Sequence, residues 1–187
     1  GKLTGWKVRL AATKEYYVIG KLNGFFGQNE AGAGGRFIII TEGEFDAMAS
    51  SQMLAKLGKN YRIVSLPNGA NVKAIKENLE WLEGFETVVL NFDKDKAGQD
   101  AVDKAVNLFT PGKVKIMTLP TKDANDMLME AGHKPADYYA AINQAKVYRP
   151  DGIVNLADSW DAMFEGDSQP CVRYPWKGVN DKLYGMR

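Results

Sequence analysis

Three groups of carboxylates follow apolar runs in this 187-residue chain. Glu42, Glu44 and Asp46 come directly after the run at 37–40, Asp93 and Asp95 after 88–92, and Asp123 and Asp126 after 117–119. Bare carboxylates brought together repel, and each raises the pKa of its neighbours. A divalent cation relieves that repulsion, and oxygen-only ligands select Mg²⁺ or Mn²⁺ over zinc. Mg²⁺ takes few protein carboxylates and keeps the rest of its shell for water and phosphate oxygens. Phosphate handling is therefore the chemistry on offer. Two such ions about 4 Å apart could activate a hydroxyl and stabilise its leaving group during phosphoryl transfer.

Taken singly, most of these residues have a plainer explanation. An acid in the first turn of a helix complements the macrodipole, which alone accounts for Glu44 and for Asp46. The stretch DKDK at 93–96 reads by itself as a solvated turn. Asp123 suits the N-cap of a helix over ANDML, and Asp126 suits a surface position. Glu42 is the exception, because it ends an uninterrupted apolar strand with only Gly43 to ease the corner. The conjunction of acids at three strand ends is what the plainer readings leave unexplained.

Four strand-like runs must position these groups: 36–43, 61–69, 85–93 and 112–120. Each leads into a helical pattern. Met48, Leu54 and Leu57 recur at helical spacing before Gly58; Val72, Ile75, Leu79 and Leu82 share a face; Val102, Val106 and Phe109 recur after the third run. Two further helical patterns, DANDMLMEAG and ADYYAAINQAKV, follow the fourth. Strand and helix alternating at roughly 25-residue spacing predict an α/β fold, a parallel sheet of about four strands flanked by crossover helices. Ligands in such folds lie beyond the carboxyl ends of the strands, here just after 41, 66, 92 and 119.

The flanks differ from this centre. WKVRL and EYYVIG read as short strands before a Gly-rich loop, NGFFGQNEAGAGG. Residues 1–24 carry Lys2, Lys7, Arg9, Lys14 and Lys21 against Glu15 alone, although the whole chain is only +1. After RPDG at 149–152 comes an amphipathic helix candidate, NLADSWDAMFEG. One cysteine, Cys171, and one histidine, His133, leave no internal disulfide and no zinc cluster within this sequence. A reducing compartment fits that usage, and no apolar run approaches the roughly 18 residues of a membrane span. The opening without methionine and the close on VNDKLYGMR read as a piece of something longer.

TEGEFDAMA with VVLNFDKDKAGQDAV resembles the Toprim domain of primases, topoisomerases and several nucleases: a glutamate after the first strand, Asp-x-Asp after the third. SLPNGA, D-x-D-x-A-G and KDANDML narrow the resemblance to primases. More narrowly, these pieces resemble the bifunctional primase–helicases of podovirus-type phages and their mitochondrial relative Twinkle. FFGQNEAGAGGRFIIITEGE, RPDGIVNLADSW and KGVNDKLYGMR resemble the approach to the Toprim strand, the interdomain linker and the helicase entry of those proteins.

The resemblance implies a Toprim, Rossmann-like fold at 34–148. Residues 1–33 would end an N-terminal polymerase subdomain, and 149–187 would hold a linker helix and the start of a helicase domain. It implies metal coordination by Glu42, Asp93 and Asp95, with Asp46 and Asp123 as direct or water-mediated ligands, and Glu42 as acid/base group. Two Mg²⁺ or Mn²⁺ ions are the implied cofactors. Lys7 and Arg9 would face nucleotide and template, and Asp126 stands where some relatives carry glutamate. The implied activity is a primase making short RNA primers from ribonucleoside triphosphates on single-stranded DNA. The setting would be the cytoplasm of a phage-infected bacterium, with a helicase ring formed by the same polypeptide. A Toprim module kept for DNA binding or helicase assembly, and a Toprim nuclease, are the alternatives. No Cys-x-x-Cys and no G-x-x-x-x-G-K-[ST] occurs, so neither a template-reading zinc module nor an ATPase loop lies in this sequence.

Overall fold

The computed structural model describes residues 4–149, apart from positions 11, 12, 14, 70 and 131, together with 175, 176, 178 and 179. The chain divides into two compact units, Gly1–Tyr148 and Arg149–Arg187. The helix candidate at 155–166 lies outside the described residues.

The first unit begins with an antiparallel hairpin, β1 (Gly5–Arg9) and β2 (Tyr16–Gly20), in the register Lys7↔Val18 and Arg9↔Tyr16. A single helical turn, α1 (Gln28–Ala31), lies within the Gly-rich stretch, where the sequence reads as a loop. The α/β alternation then runs as expected. Strand β3 (Gly35–Thr41) leads to α2 (Glu44–Lys56), and β4 (Arg62–Ser65) to α3 (Lys73–Glu77) and α4 (Leu79–Glu83). Strand β5 (Phe85–Asn91) leads to α5 (Lys96–Val106), and β6 (Val114–Ile116) to α6 (Ala124–Met129) and α7 (Pro135–Asn143).

A short strand that the sequence pattern does not announce, β7 (Lys146–Val147), closes the sheet. The order is β4-β3-β5-β6-β7; the first four are parallel, and β7 pairs antiparallel with β6 through Lys115↔Val147. The expected sheet of about four strands is thus a parallel four with an antiparallel edge.

Alternation along the strands builds two cores. Ile38, Ile40, Val64, Val88 and Leu90 face one side, packed with Ile75, Leu82, Ala101 and Ala105 from α3, α4 and α5. Ile39 and Val89 face the other, packed with Met53, Leu54, Met127 and Tyr138 from α2, α6 and α7. Burial on both faces is why the runs at 37–40 and 88–90 are continuously apolar. Helix α2 buries Ala47, Ala49, Ser50, Met53 and Leu54, whereas Met48 is 46% exposed. The helical pattern that carries Val72, Ile75, Leu79 and Leu82 is interrupted at Asn78. Its side chain accepts from Gln28 Nε2 at 3.1 Å and donates to Asn23 O and Ala74 O at 2.9 Å, tying the chain to the stretch before β3.

One polar cluster crosses the second core. The Tyr138 hydroxyl donates to Ser50 Oγ at 2.6 Å and accepts from Asn91 Nδ2 at 3.1 Å. Burial pushes the phenol well above its ordinary pKa, so it remains a protonated donor. These bonds join α7, α2 and β5, the last two of which lead into or carry acidic residues.

A candidate catalytic cleft at the strand ends

Strands β3 and β5 are the first and third of the parallel set along the sequence but neighbours in space, in the register Thr41↔Asn91. From β3 the chain crosses to β4 on one side, and the sheet continues through β5 on the other, so the order reverses between them. Parallel sheets open a crevice at such a switch point, beyond the carboxyl ends of the strands. Glu42 is the first residue after β3, and Asp93 the second after β5, so both stand at that crevice. Thr41 is buried and holds the corner by donating to Gly43 O at 3.1 Å and Val64 O at 3.3 Å.

The carboxylates meet electrostatically. Burial, then the charge of Asp93, raise the Glu42 pKa to about 7, with smaller contributions from Asp95 and Asp46. Burial and then Asp123 raise Asp46 to about 6, against hydrogen bonds from the Asn125 and Gly43 backbones. Asp93 is pushed up mainly by burial, while Lys122, 3.4 Å away, pulls the other way. Lys122 is raised in turn, chiefly by Asp93.

Several acids also have local duties. Asp95 is the N-cap of α5 and accepts from the Gly98 N–H at 2.9 Å. Asp123 caps α6 in the same way, accepting from the Asp126 N–H at 2.7 Å. Asp46 accepts from the Asn125 N–H at 3.1 Å, fastening α6 to α2. Glu44, a first-turn residue of α2, forms an ion pair with Lys7 at 2.6 Å. Asp126 contributes its backbone to the Asp123 cap.

With these partners taken, no three acidic, histidine or cysteine side chains among the described residues converge on one point as a ready ligand set. Glu42 is different. Its Oε2 is buried and has no hydrogen-bond partner. A buried acceptor-only atom without a donor is costly, and an oxygen-only set around it fits a hard divalent cation. Two glycines allow the close approach. Gly69, at φ +57°, brings the loop after β4 to the Glu42 carboxylate, and a side chain at Gly98 would collide with the Asp93 backbone.

Facing these acids, the hairpin supplies positive charge. Lys7 and Arg9 line the same cleft of about 1010 Å³ as Glu42, Glu44, Asp46 and Asp93. Lys7 Nζ lies 4.6 Å from the Tyr16 ring centroid, and the Arg9 guanidinium 4.7 Å from that of Phe45. Glu42, Glu44, Asp46 and Asp93 thus line one cleft with Lys7 and Arg9, Asp95 and Asp123 act on Glu42 and Asp46 electrostatically, and Asp126 is not among the lining residues. Sequence reasoning passed over Lys122, for which its position beside Asp123 at the fourth strand end was the available signal. It also passed over Phe45 as a cleft residue, where an apolar residue between two acids was the only trace.

A Toprim-like family model matches residues 39–128. The DNA helicase/primase of Enterobacteria phage T3 is 34% identical over 164 residues; the match takes in 83% of this chain and 28% of that protein. The primase fragment of the bacteriophage T7 primase-helicase superposes with a TM-score of 0.64 at 32% identity, covering 77% of this chain and 57% of the fragment. A T7 primase domain, in a complex of the T7 lagging-strand DNA polymerase with primase domains bound to an RNA/DNA hybrid and dTTP, superposes with a TM-score of 0.67. That match has 31% identity and covers 76% of this chain and 71% of the other.

Proposed function

From a chain that belongs to the Toprim-like family, with phage primases among its relatives, we propose the catalytic part of a DNA primase, joining ribonucleotides into short RNA primers on single-stranded DNA. The observation that carries this reading is Glu42, half-buried with its Oε2 enclosed and unpartnered, beside Asp93 at the switch point of the sheet. The full activity belongs to a longer polypeptide on this reading, since the chain spans 28% of the T3 relative. A helicase domain on the same polypeptide would form the oligomeric ring, and the protein would work in the cytoplasm of an infected bacterium.

Glu42, Asp93 and Asp95 would hold divalent metal, with Asp46 and Asp123 alongside. Two Mg²⁺ or Mn²⁺ ions would neutralise the triphosphate and activate the attacking hydroxyl. In the transfer itself, a 3′ oxygen forms a bond to the α-phosphorus of the incoming nucleotide, the bond to pyrophosphate breaks, and the hydroxyl proton must be taken up. Glu42 is the candidate acceptor, through the carboxylate oxygen left free of metal at the end of β3. Lys122 would steady the charge of Asp93 as ligands come and go. Lys7 and Arg9 would hold phosphates of the strand, which positions it without reading its sequence. The cleft volume of about 1010 Å³ suits a nucleotide and part of a strand together.

Incubation of the full-length protein with ribonucleoside triphosphates, Mg²⁺ and single-stranded DNA tests the reading. Oligoribonucleotides are expected, and their loss in Asp93→Ala and Asp95→Ala. Shortening of the template in place of primer synthesis would transfer the assignment to a nuclease.

A further inference from the structure

Phe45 lies in the first turn of α2, between Glu44 and Asp46, and lines the cleft. Its neighbours Ala47, Ala49 and Ser50 are buried, yet Phe45 keeps 48% of its surface exposed. The Arg9 guanidinium lies over the ring at 4.7 Å from its centroid. Tyr16, also lining the cleft, is 51% exposed, with Lys7 Nζ over its ring at 4.6 Å. Cations alone would suffice to hold phosphates, so open rings in the same wall call for a different partner. Exposed apolar surface costs about 25 cal/mol per Å². A nucleobase recovers that cost, because every base has a π-face that stacks on an aromatic ring whatever the sequence, and arginine adds a cation–π contribution.

The geometry points to a base-stacking ledge: the open surface of Phe45, backed by Arg9, receives a nucleobase within the cleft. This deepens the primase reading and rests on it. The base comes either from the single-stranded template or from the incoming ribonucleotide, and the two sources are separable by experiment. The ledge would orient a nucleotide one helical turn or less from the acids that hold its phosphates, between the basic hairpin and the first turn of α2. Phe45 touches no reacting atom in this scheme; it fixes where the base lies, and hence where the phosphate can be.

A competing role is purely mechanical, with the Arg9–Phe45 contact clamping the hairpin to α2. Binding of a labelled oligodeoxynucleotide, of an abasic strand of equal length, and of a ribonucleoside triphosphate separates the roles when measured across salt concentrations for the unaltered protein, Phe45→Ala, Phe45→Leu, Phe45→Trp and Arg9→Ala. Loss of one stacked base is expected to weaken binding of the base-bearing ligand by about tenfold or more in Phe45→Ala and Phe45→Leu. Phe45→Trp should restore it. The slope of log affinity against log salt should stay unchanged in the Phe45 variants and fall by about one in Arg9→Ala. Weakening confined to the oligonucleotide assigns the base to the template, and weakening confined to the triphosphate assigns it to the incoming nucleotide. The ledge is overturned if Phe45→Leu binds as the unaltered protein does, or if Phe45→Ala weakens the abasic strand equally. Failure of the unaltered protein to bind any of the three would remove the primase reading and the ledge with it.

Discussion

Glu42 concentrates the electrostatic cost of the cleft in one side chain. Burial and Asp93 raise its pKa to about 7, and burial and Asp123 raise that of Asp46 to about 6. For an acid whose folded pKa lies above its unfolded value, the contribution to stability is fully present below the unfolded pKa and is lost as pH rises through the folded one. With a chelator present, the melting temperature contribution of this pair should therefore decline between about pH 4 and pH 8. Glu42→Gln should flatten that part of the profile and raise stability at pH 8, while lowering primer synthesis by about a hundredfold or more. Equal pH profiles for Glu42→Gln and the unaltered chain in calorimetry would refute the assignment. Part of this was legible from residues alone. Glu42 stood out because a carboxylate ending an apolar strand has no helix-terminus excuse. Glu44 did not, because its ion pair with Lys7 joins residues 37 positions apart, and nothing local announces such a contact.

At the scale of elements, the site depends on helices held in register by buried polar contacts. Tyr138 on α7 bonds Ser50 on α2 and Asn91 on β5, one helical turn past Asp46 and two residues before Asp93. Removing the hydroxyl leaves buried partners unsatisfied, at a cost of about 1–3 kcal/mol. Tyr138→Phe should lose that much in urea unfolding, and adding Ser50→Ala should recover part of it; no loss in the single variant would show the network to be idle. The elements that the sequence announced are those whose burial is periodic or continuous, namely β3, β5, α2 and α5. The ones it hid are short. Strand β7 exists through its pairing with β6, α1 is a single turn, and the break at Asn78 comes from bonds to Asn23 and Gln28.

For the first unit as a whole, strand order turns separate acidic residues into one site. Only with β3 beside β5 do Glu42 and Asp93 share a crevice, and the register Thr41↔Asn91 keeps them level. A ligand bound to the folded chain alone stabilises it by mass action, about 2.7 kcal/mol at a hundredfold excess over Kd. Saturating Mg²⁺ should accordingly raise the melting temperature by roughly 5–10 °C. Asp93→Ala with Asp95→Ala should abolish the rise, and an undiminished shift in that double variant would rule these residues out as ligands. The close packing at Gly98 bears on the whole from another direction. There the hydrogen of a glycine leaves the only room beside the Asp93 backbone, on a helix whose cap is Asp95. Packing alone therefore excludes a side chain there, without the residue taking any part in chemistry. A Gly98→Ala change would displace the Asp93 backbone while leaving every acid in place.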